Sequence, residues 1–250
     1  MLIKWLLLVC VMVFLGGFGS AQTVRMAVFQ LEPFMMEVSP KKAGGVTVEY
    51  WERFLAPKMG VNLEVVGPYP IPRVMKMLEN GEVDVVSQLS KTAERDAIFL
   101  YPETHLTLIK YCVIVRANDP LNAIKSPADF YGKKIGFSED TYLPPFMIDE
   151  RIKIELVSNA DYRRINLNKL FAGRIDGILD LNYDSFCYYL KINGLYEKVK
   201  PLLLPLEPGK VYSLFRRTPE GKALSEAFDR ANREGLAAGV FESITREYLQ

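Results

Sequence analysis

Residues that bind metal ions are scarce in this sequence of 250 residues, which has one histidine, His105, and three cysteines. A lone histidine with no cysteine or aspartate cluster at ligand spacing does not predict a metal site. We therefore expect no metal and no other cofactor. Two of the cysteines, Cys112 and Cys187, lie beyond the first 21 residues. They could pair in an oxidising compartment, but we interpret them as unpaired buried thiols.

An excess of charge of either sign is also lacking. One of the 31 Lys and Arg residues, Lys4, lies in the first 21 residues, which leaves 30 basic residues against 30 acidic ones. A nucleic-acid-binding protein usually shows a strong basic excess. The composition therefore argues against a nucleic-acid partner.

Long hydrophobic runs are confined to the beginning of the chain. Lys4 precedes an apolar run over residues 5–14, and small residues follow as far as Ala21. This order is typical of a secretory signal peptide, and we predict cleavage after Ala21. A retained membrane anchor is the alternative, but the apolar core is short for a full span. Lipidation at Cys10 is rejected because the residue before it is not small and the site lies too early.

One pattern occurs twice, once in each half of the chain. Residues 78–84 and 170–176 both read Leu-x-x-Gly-x-apolar-Asp. The glycine suits the left-handed position just past a helix, and the apolar residues that follow favour a strand. The repeat predicts two similar α/β lobes. We interpret Asp84 and Asp176 as structural residues, because carboxylates near turns usually cap them.

Hydrophobic periodicity predicts further strands and helices around these repeats. The strands are expected over 24–30, 61–66, 106–115, 134–137, 154–157 and 212–215, and helices after Gly45, Pro72 and Pro145, over 167–171 and from Pro219 to the end. The first part is β-α-β-α-β, which implies a mostly parallel sheet covered by helices. We expect crossovers between the lobes over 111–116 and 202–208.

Polar side chains follow the strand of the first repeat. They are Ser87, Gln88, Ser90, Thr92 and Arg95. Ligands of open α/β sheets bind at the carboxyl ends of strands. We therefore predict that this segment contributes to a ligand site.

In their order and spacing, these elements resemble the family 3 bacterial solute-binding proteins, the periplasmic receptors of polar amino-acid importers. The matching elements are Pro33-Phe34, Gly44 to Val61, Gly81-x-Val83-Asp84, Ser90-x-Thr92-x-x-Arg95, Phe99 to Pro102, residues 132–136 and 172–176, and the closing helix from Phe228 to Tyr248. The resemblance implies an α/β fold, the two-lobed periplasmic binding protein of type II (Venus-flytrap) with two hinge crossover strands. Lobe 1 is assigned to residues 22–112 and 208–250, and lobe 2 to residues 113–207.

The resemblance also implies roles for individual residues. Arg95 matches the arginine that grips a ligand carboxylate, because a guanidinium presents a planar fork of donors; a surface ion pair with Glu94 is the alternative. Ser90 and Thr92 match the hydroxyl pair beside it, with turn and cap chemistry as the alternative. Thr141 matches a second-lobe position at a helix start, where free N–H groups favour an anion. The other expected ligand contacts are Phe29, Phe34, Tyr69, Gln88, Tyr142, Asp180 and Asn182.

The sequence departs from the family pattern in its ligand segments. The segment from Asp84 to Arg95 is one residue shorter than usual, and Asp140 replaces a glycine before Thr141. The aspartate that binds the ligand ammonium in the family falls on Leu181 here. Asp180 could replace it if a bulge shifts the strand by one residue. We therefore expect a small carboxylate-bearing solute rather than a standard amino acid.

The function implied by the resemblance is that of a non-enzymatic receptor. It would capture an amino acid or organic acid in the periplasm as a monomer and deliver it to the membrane permease of an ABC importer. Two alternatives remain open. One is a periplasmic dehydratase that uses Glu32, Asp140 or Asp180 as acid or base. The other is a ligand-sensing subunit of a signalling receptor.

Overall fold

The computed structural model describes residues 22–139 and 141–249, so the predicted signal peptide, Cys10 and Asp140 lie outside the described part. The strands are β1 (Thr23–Ala27), β2 (Met36–Ser39), β3 (Lys42–Gly44), β4 (Asn62–Val66), β5 (Val85–Ser90), β6 (Phe99–Leu100), β7 (Thr107–Ile109), β8 (Cys112–Arg116), β9 (Lys134–Ser138), β10 (Lys153–Val157), β11 (Gly177–Asp180), β12 (Val199–Leu203) and β13 (Gly209–Arg216). The α-helices are α1 (Val46–Tyr50), α2 (Ala56–Met59), α3 (Ile71–Asn80), α4 (Ala93–Ile98), α5 (Tyr162–Phe171), α6 (Tyr183–Ile192), α7 (Pro219–Ala238) and α8 (Val240–Leu249). A π-helical segment, Trp51–Leu55, joins α1 to α2, and 3₁₀ turns occur at Pro127–Phe130, Pro145–Met147 and Tyr196–Lys198. None of the described helices has the length and apolar character needed to cross a membrane.

Two mixed sheets form the centres of two lobes. In the first lobe the strand order is β4-β1-β5-β13-β6, and β7 also pairs with β13. In the second lobe the order is β10-β9-β11-β8-β12. The pairs of β1 with β4 and β5, and of β9 with β10 and β11, are parallel, whereas β13 and β8 pair antiparallel with their neighbours. The β-α-β-α-β pattern thus predicted the parallel strands of the first lobe, and a strand from the end of the chain adds the antiparallel one.

The chain crosses between the lobes twice, over shorter segments than predicted. Cys112–Arg116 is a strand of the second sheet and not a crossover, since it pairs with β11 and β12 over its length. Leu202 and Leu203 likewise still belong to β12. The crossovers therefore lie between Ile109 and Cys112 and between Leu203 and Gly209. They contact each other, because the Leu204 N–H donates to the Tyr111 carbonyl at 2.9 Å.

The two repeats adopt the same local structure, as predicted. Gly81 and Gly173 each follow a helix with φ of 77° and 68°, the left-handed conformation that favours glycine. Asp84 Oδ2 then accepts a hydrogen bond from the backbone N–H of Arg25 at 2.9 Å, and Asp176 Oδ2 accepts one from that of Lys134 at 2.8 Å. Each aspartate therefore ties the start of the strand that follows it to the neighbouring parallel strand of its own lobe, β1 or β9, which confirms the structural interpretation of both.

Cores of buried apolar residues fill both lobes. In the first lobe Trp51 is fully buried against Phe215 and Phe228, and its indole N–H donates to Ser87 Oγ at 3.2 Å. In the second lobe, buried clusters that include Phe137 and Phe186 pack with its sheet. Burial of such large side chains is the main stabilising contribution to each lobe. Cys112 and Cys187 form no disulfide, as predicted, but only Cys112 is buried, whereas Cys187 is half-buried. Burial raises the pKa of the Cys112 thiol well above its ordinary value.

The single histidine gives a direct probe of pH dependence. Burial, and then the positive charge of Lys210, lower the pKa of His105 below its ordinary value of 6.5, and Glu242 opposes them. We expect its NMR signal, the only histidine signal in the chain, to titrate with a midpoint below 6.5. Because the folded pKa lies below the unfolded one, the neutral imidazole contributes stability above the unfolded pKa, and the contribution is lost as pH falls through the folded pKa. Lys210→Met should raise the midpoint; a wild-type midpoint at or above 6.5 would contradict the half-buried position of His105 near Lys210.

Candidate functional site

A partly enclosed cavity of about 50 Å³ lies between the two lobes. It lies at the carboxyl ends of β1, β5, β9 and β11, where an open α/β sheet is expected to bind ligands. Eight of the eleven predicted site residues line it: Phe29, Gln88, Ser90, Arg95, Thr141, Tyr142, Asp180 and Asn182. Four of these come from each lobe, so a solute in the cavity would contact both lobes at once.

Gln88 enters the cavity wall from a bulge in β5. Its backbone has φ of 64°, and the ladder to β13 places two residues, Ser87 and Gln88, opposite the single residue Ser213. Bulges of this kind redirect a side chain next to a functional site, and a left-handed conformation is costly for a residue other than glycine. The Gln88 side chain is 6% exposed, its Nε2 donates to Thr47 Oγ1 at 2.9 Å, and its Oε1 has no hydrogen-bond partner. The site therefore contains a buried acceptor that a ligand could satisfy.

Arg95 brings a positive charge to the same wall. It is 9% exposed and lies in the first turn of α4, where its backbone N–H donates to Thr92 Oγ1 at 3.2 Å. Thr92 is thus the N-cap of α4, which is the cap alternative considered for it. The Arg95 guanidinium donates from Nη1 to the Ser90 carbonyl at 3.0 Å. This bond holds the side chain along the end of β5 and leaves it in contact with the cavity.

The loop after β9 provides the second-lobe wall, but not in the predicted form. Thr141 does not begin a helix, because the next helical turn is the three-residue segment Pro145–Met147. Pro144 and Pro145 lack N–H groups, so the turn offers few free donors, and the helix-terminus anion site predicted at Thr141 is wrong. The Thr141 hydroxyl donates instead to the Glu139 carbonyl at 3.3 Å. Thr141 and Tyr142 also line an open groove of about 790 Å³ that meets the cavity at Arg95.

Asp180 lies at the end of β11 within a buried ionic network. Its carboxylate accepts hydrogen bonds from Arg163 Nε at 3.0 Å and Nη2 at 3.3 Å. Arg163 Nη1 also donates to Glu32 Oε2 at 3.1 Å, and Glu32 belongs to the first lobe. All three side chains are less than 9% exposed. Arg163 therefore joins one carboxylate from each lobe beside the cavity.

A second contact strengthens this junction. The Ser185 hydroxyl, at the start of α6 in the second lobe, donates to the carbonyl of Glu32 in the first lobe. Burial alone would lower the pKa of Arg163, but Asp180, Tyr162 and Glu32 raise it, and the net pKa lies above the ordinary value. Arg163 is therefore charged at every physiological pH, and the network does not titrate through it.

The bulge that would have moved Asp180 into the ammonium-binding position is absent. The ladder between β11 and β8 runs in regular register as far as Asp180 opposite Cys112. Asp180 reaches the cavity wall without it, and Leu181 lines the cavity as well. The position that binds ammonium in the resembling family is thus occupied by a side chain that cannot accept a hydrogen bond.

Three predicted site residues lie outside the cavity. Phe34 is buried in the first-lobe core, where its ring stacks on Phe241 at a centroid distance of 6.1 Å. Tyr69 packs under the guanidinium of Arg73 at 4.2 Å. Thr92 caps α4 and lines only the neighbouring open groove. The aromatic content of the chain suggested Phe34 and Tyr69 as ligand contacts, but both rings pack against other side chains of the protein.

The sequence-based prediction missed Arg163, Tyr162 and Ser138. Ser138 and Tyr162 line the cavity, and Arg163 positions Asp180. A local signal existed for Arg163: with Asn166, Leu167 and Leu170 it has the three- and four-residue spacing of one helix face, and all four are buried. An arginine on the inward face of a helix indicates a buried ionic partner.

Two of the three side chains suggested for acid–base catalysis are already paired. Glu32 and Asp180 both bind Arg163, and Glu32 does not line the cavity. The third candidate, Asp140, lies outside the described residues. Over 22–139 and 141–249, no group of three His, Cys, Asp or Glu side chains is arranged to hold a metal ion.

Comparison with known proteins identifies relatives of this architecture. The family model for bacterial extracellular solute-binding proteins, family 3, matches residues 24–250. The amino acid ABC transporter substrate-binding protein AbpA from Streptococcus pneumoniae, bound to L-arginine, superposes with a TM-score of 0.75 at 18% identity over 90% of this chain and 94% of its own. An ancestral arginine-binding protein bound to arginine gives 0.76 at 20% identity over 92% and 100%. The VFT2 domain of BvgS from Bordetella pertussis, in a double mutant form, gives 0.74 at 17% identity over 90% of this chain and 93% of its own.

These likenesses confirm the predicted fold, a two-lobed periplasmic binding protein. The matched family consists of solute-binding proteins and not of enzymes. A search of curated proteins found no match.

Proposed function

Because the chain belongs to the bacterial extracellular solute-binding proteins of family 3, we propose that it captures a small carboxylate-bearing solute, an amino acid or a related compound, between its lobes. The observation that supports this most is the cavity lined by both lobes, with Arg95 in its wall. A charge-assisted bond from a guanidinium to a carboxylate contributes about 1.5–3 kcal/mol. Ser90, Ser138 and Asn182 add polar groups around the same space.

Binding would act as a shift between open and closed arrangements of the lobes. A solute that contacts both lobes binds the closed arrangement more tightly and so increases its population. The two short crossovers are the segments at which such a motion would occur. The closed form would then be presented to the membrane permease of an ABC importer, since the structural relative AbpA is the substrate-binding protein of an amino acid ABC transporter.

The setting we propose for this activity is the periplasm, reached by secretion with cleavage after about Ala21. We assign lobe 1 to residues 22–112 and 208–250 and lobe 2 to residues 113–207, with the protein acting as a monomer. Cys112 is the first residue of β8 in the second sheet, so we move it to lobe 2 and end the first segment of lobe 1 at Tyr111.

Native mass spectrometry of protein purified without refolding tests the proposal. We expect a bound solute of low mass to copurify, and its release on denaturation to yield a carboxylic acid. Thermal unfolding with added amino acids and organic acids gives a second measurement, since a ligand that binds only the folded state raises its stability. If no solute copurifies and no candidate raises the unfolding temperature, the receptor function is wrong.

A further inference from the structure

The carboxylate that faces the cavity has no acceptor site left for a ligand. An ionised carboxylate offers about four lone-pair sites. Asp180 Oδ1 accepts from the Asn182 N–H at 2.9 Å and from Arg163 Nη2 at 3.3 Å. Asp180 Oδ2 accepts from Arg163 Nε at 3.0 Å and from the Tyr162 hydroxyl at 3.4 Å. All of its hydrogen-bonding capacity is used within the second lobe.

The one buried side-chain acceptor of the described cavity wall that lacks a partner is neutral. Among the described residues, the buried side-chain oxygens without a hydrogen-bond partner are Gln88 Oε1 and Asn166 Oδ1, and only Gln88 lines the cavity. The bulge in β5 holds its amide there, with Nε2 fixed on Thr47. A ligand that donates one hydrogen bond to Gln88 Oε1 would satisfy it.

An ammonium group fits this arrangement poorly. It carries three donors and a full charge, and each buried donor left without a partner is costly. A hydroxyl or amide group needs a single acceptor and carries no charge. We propose that the solute is an anionic carboxylate with a neutral hydroxyl or amide donor and no ammonium group. This inference rests on the proposed function, in which Arg95 holds the carboxylate.

Arg163 has a specific part in this selectivity. It is a positioning residue, because it contacts the oxygens of Asp180 and does not itself line the cavity. Its network with two carboxylates has a net negative charge, but Asp180, the member that reaches the cavity, is already saturated by donors. An ammonium in the cavity would therefore have to displace one of these bonds.

Calorimetric titration with matched solutes tests the inference. The panel pairs α-hydroxy acids with the α-amino acids of the same carbon skeleton, beginning with lactate and alanine and with malate and aspartate. We expect the hydroxy acid of the best pair to bind about tenfold or more tightly than its amino counterpart. Pyruvate, which has an acceptor in place of the donor, should bind more weakly than lactate.

The outcomes separate the inference from the function on which it rests. Equal or tighter binding of the amino acids overturns the inference and leaves the receptor function standing. Tighter binding of pyruvate than of lactate overturns the claim that the solute donates a hydrogen bond from a neutral group. Failure of every member of the panel to bind at millimolar concentration overturns both.

A variant of Gln88 provides an independent measurement. Gln88→Glu replaces the neutral acceptor by a carboxylate of the same size and should shift the preference toward the amino acid by about tenfold. Gln88→Met removes the acceptor and should weaken hydroxy-acid binding by about the same factor. An unchanged preference in a folded Gln88→Glu protein would place the donor contact elsewhere. If either variant fails to fold, the titrations of the wild type still decide between hydroxy acids and amino acids as ligands.

Discussion

Replacement of Arg95 by alanine is expected to weaken solute binding by about 10- to 150-fold, the loss of one charge-assisted pair. The guanidinium is buried at the cavity wall and is held in place by the Ser90 carbonyl. A carboxylate in the cavity would lose its main cationic partner without it. Titration of the wild type and the variant with the same solute measures the loss, and native mass spectrometry should show that the copurified solute is gone.

Two further variants show whether the loss of affinity is due to the paired N–H donors of the Arg95 guanidinium. Arg95→Lys keeps the charge but loses the planar pair of donors, so its affinity should lie between those of the wild type and the alanine variant. Arg233→Ala removes an exposed arginine that pairs with Glu103, and its affinity should equal that of the wild type. Undiminished retention of the solute by a folded Arg95→Ala protein would mean that the carboxylate binds elsewhere.

Replacement of Arg163 by methionine is expected to destabilise the folded protein by about 3–5 kcal/mol. The change leaves Glu32 and Asp180 buried with no cation between them. Uncompensated buried charges cost far more than the pair itself contributes. Equilibrium unfolding in urea measures the difference as a shift of the midpoint.

The neighbouring arginine is a matched control. Arg164 is 61% exposed at its side chain and pairs with Asp161 on the surface. Arg164→Met should therefore change the stability by less than about 1 kcal/mol. Combining Arg163→Met with Asp180→Asn and Glu32→Gln should recover part of the loss, since it removes the unpaired charges. An equal loss of stability in Arg163→Met and Arg164→Met would contradict the buried network.

Features encoded within a few residues of each other could be predicted from the sequence. The repeated turn is one, because a glycine after a helix and an aspartate before a strand have the same physical roles in both lobes. Arg95 is another, since its place just beyond a strand end follows from the order of the elements. These predictions needed no knowledge of distant contacts.

The features that could not be predicted depend on contacts between distant parts of the chain. Arg163 is 17 residues from Asp180 and 131 from Glu32, and no local pattern pairs these three. Gln88 adopts a left-handed conformation that its residue type does not favour, and the bulge shows only in the pairing of β5 with β13. Phe34 and Tyr69 were misplaced for a related reason, because an aromatic residue near a strand end can turn toward the core or the cleft.

The position of β13 has a consequence for the order in which the protein can fold during synthesis. This strand begins at Gly209, yet it lies inside the first sheet, between β5 and β6. The five strands of the second sheet all come from residues 112–203, an unbroken stretch of chain. The second lobe can therefore complete its sheet while the first still lacks an interior strand, and its β5 edge stays unpaired until the last part of the chain emerges. A nascent chain that stops before Gly209 should expose that edge to other chains, so assembly of the first lobe is the step most open to aggregation.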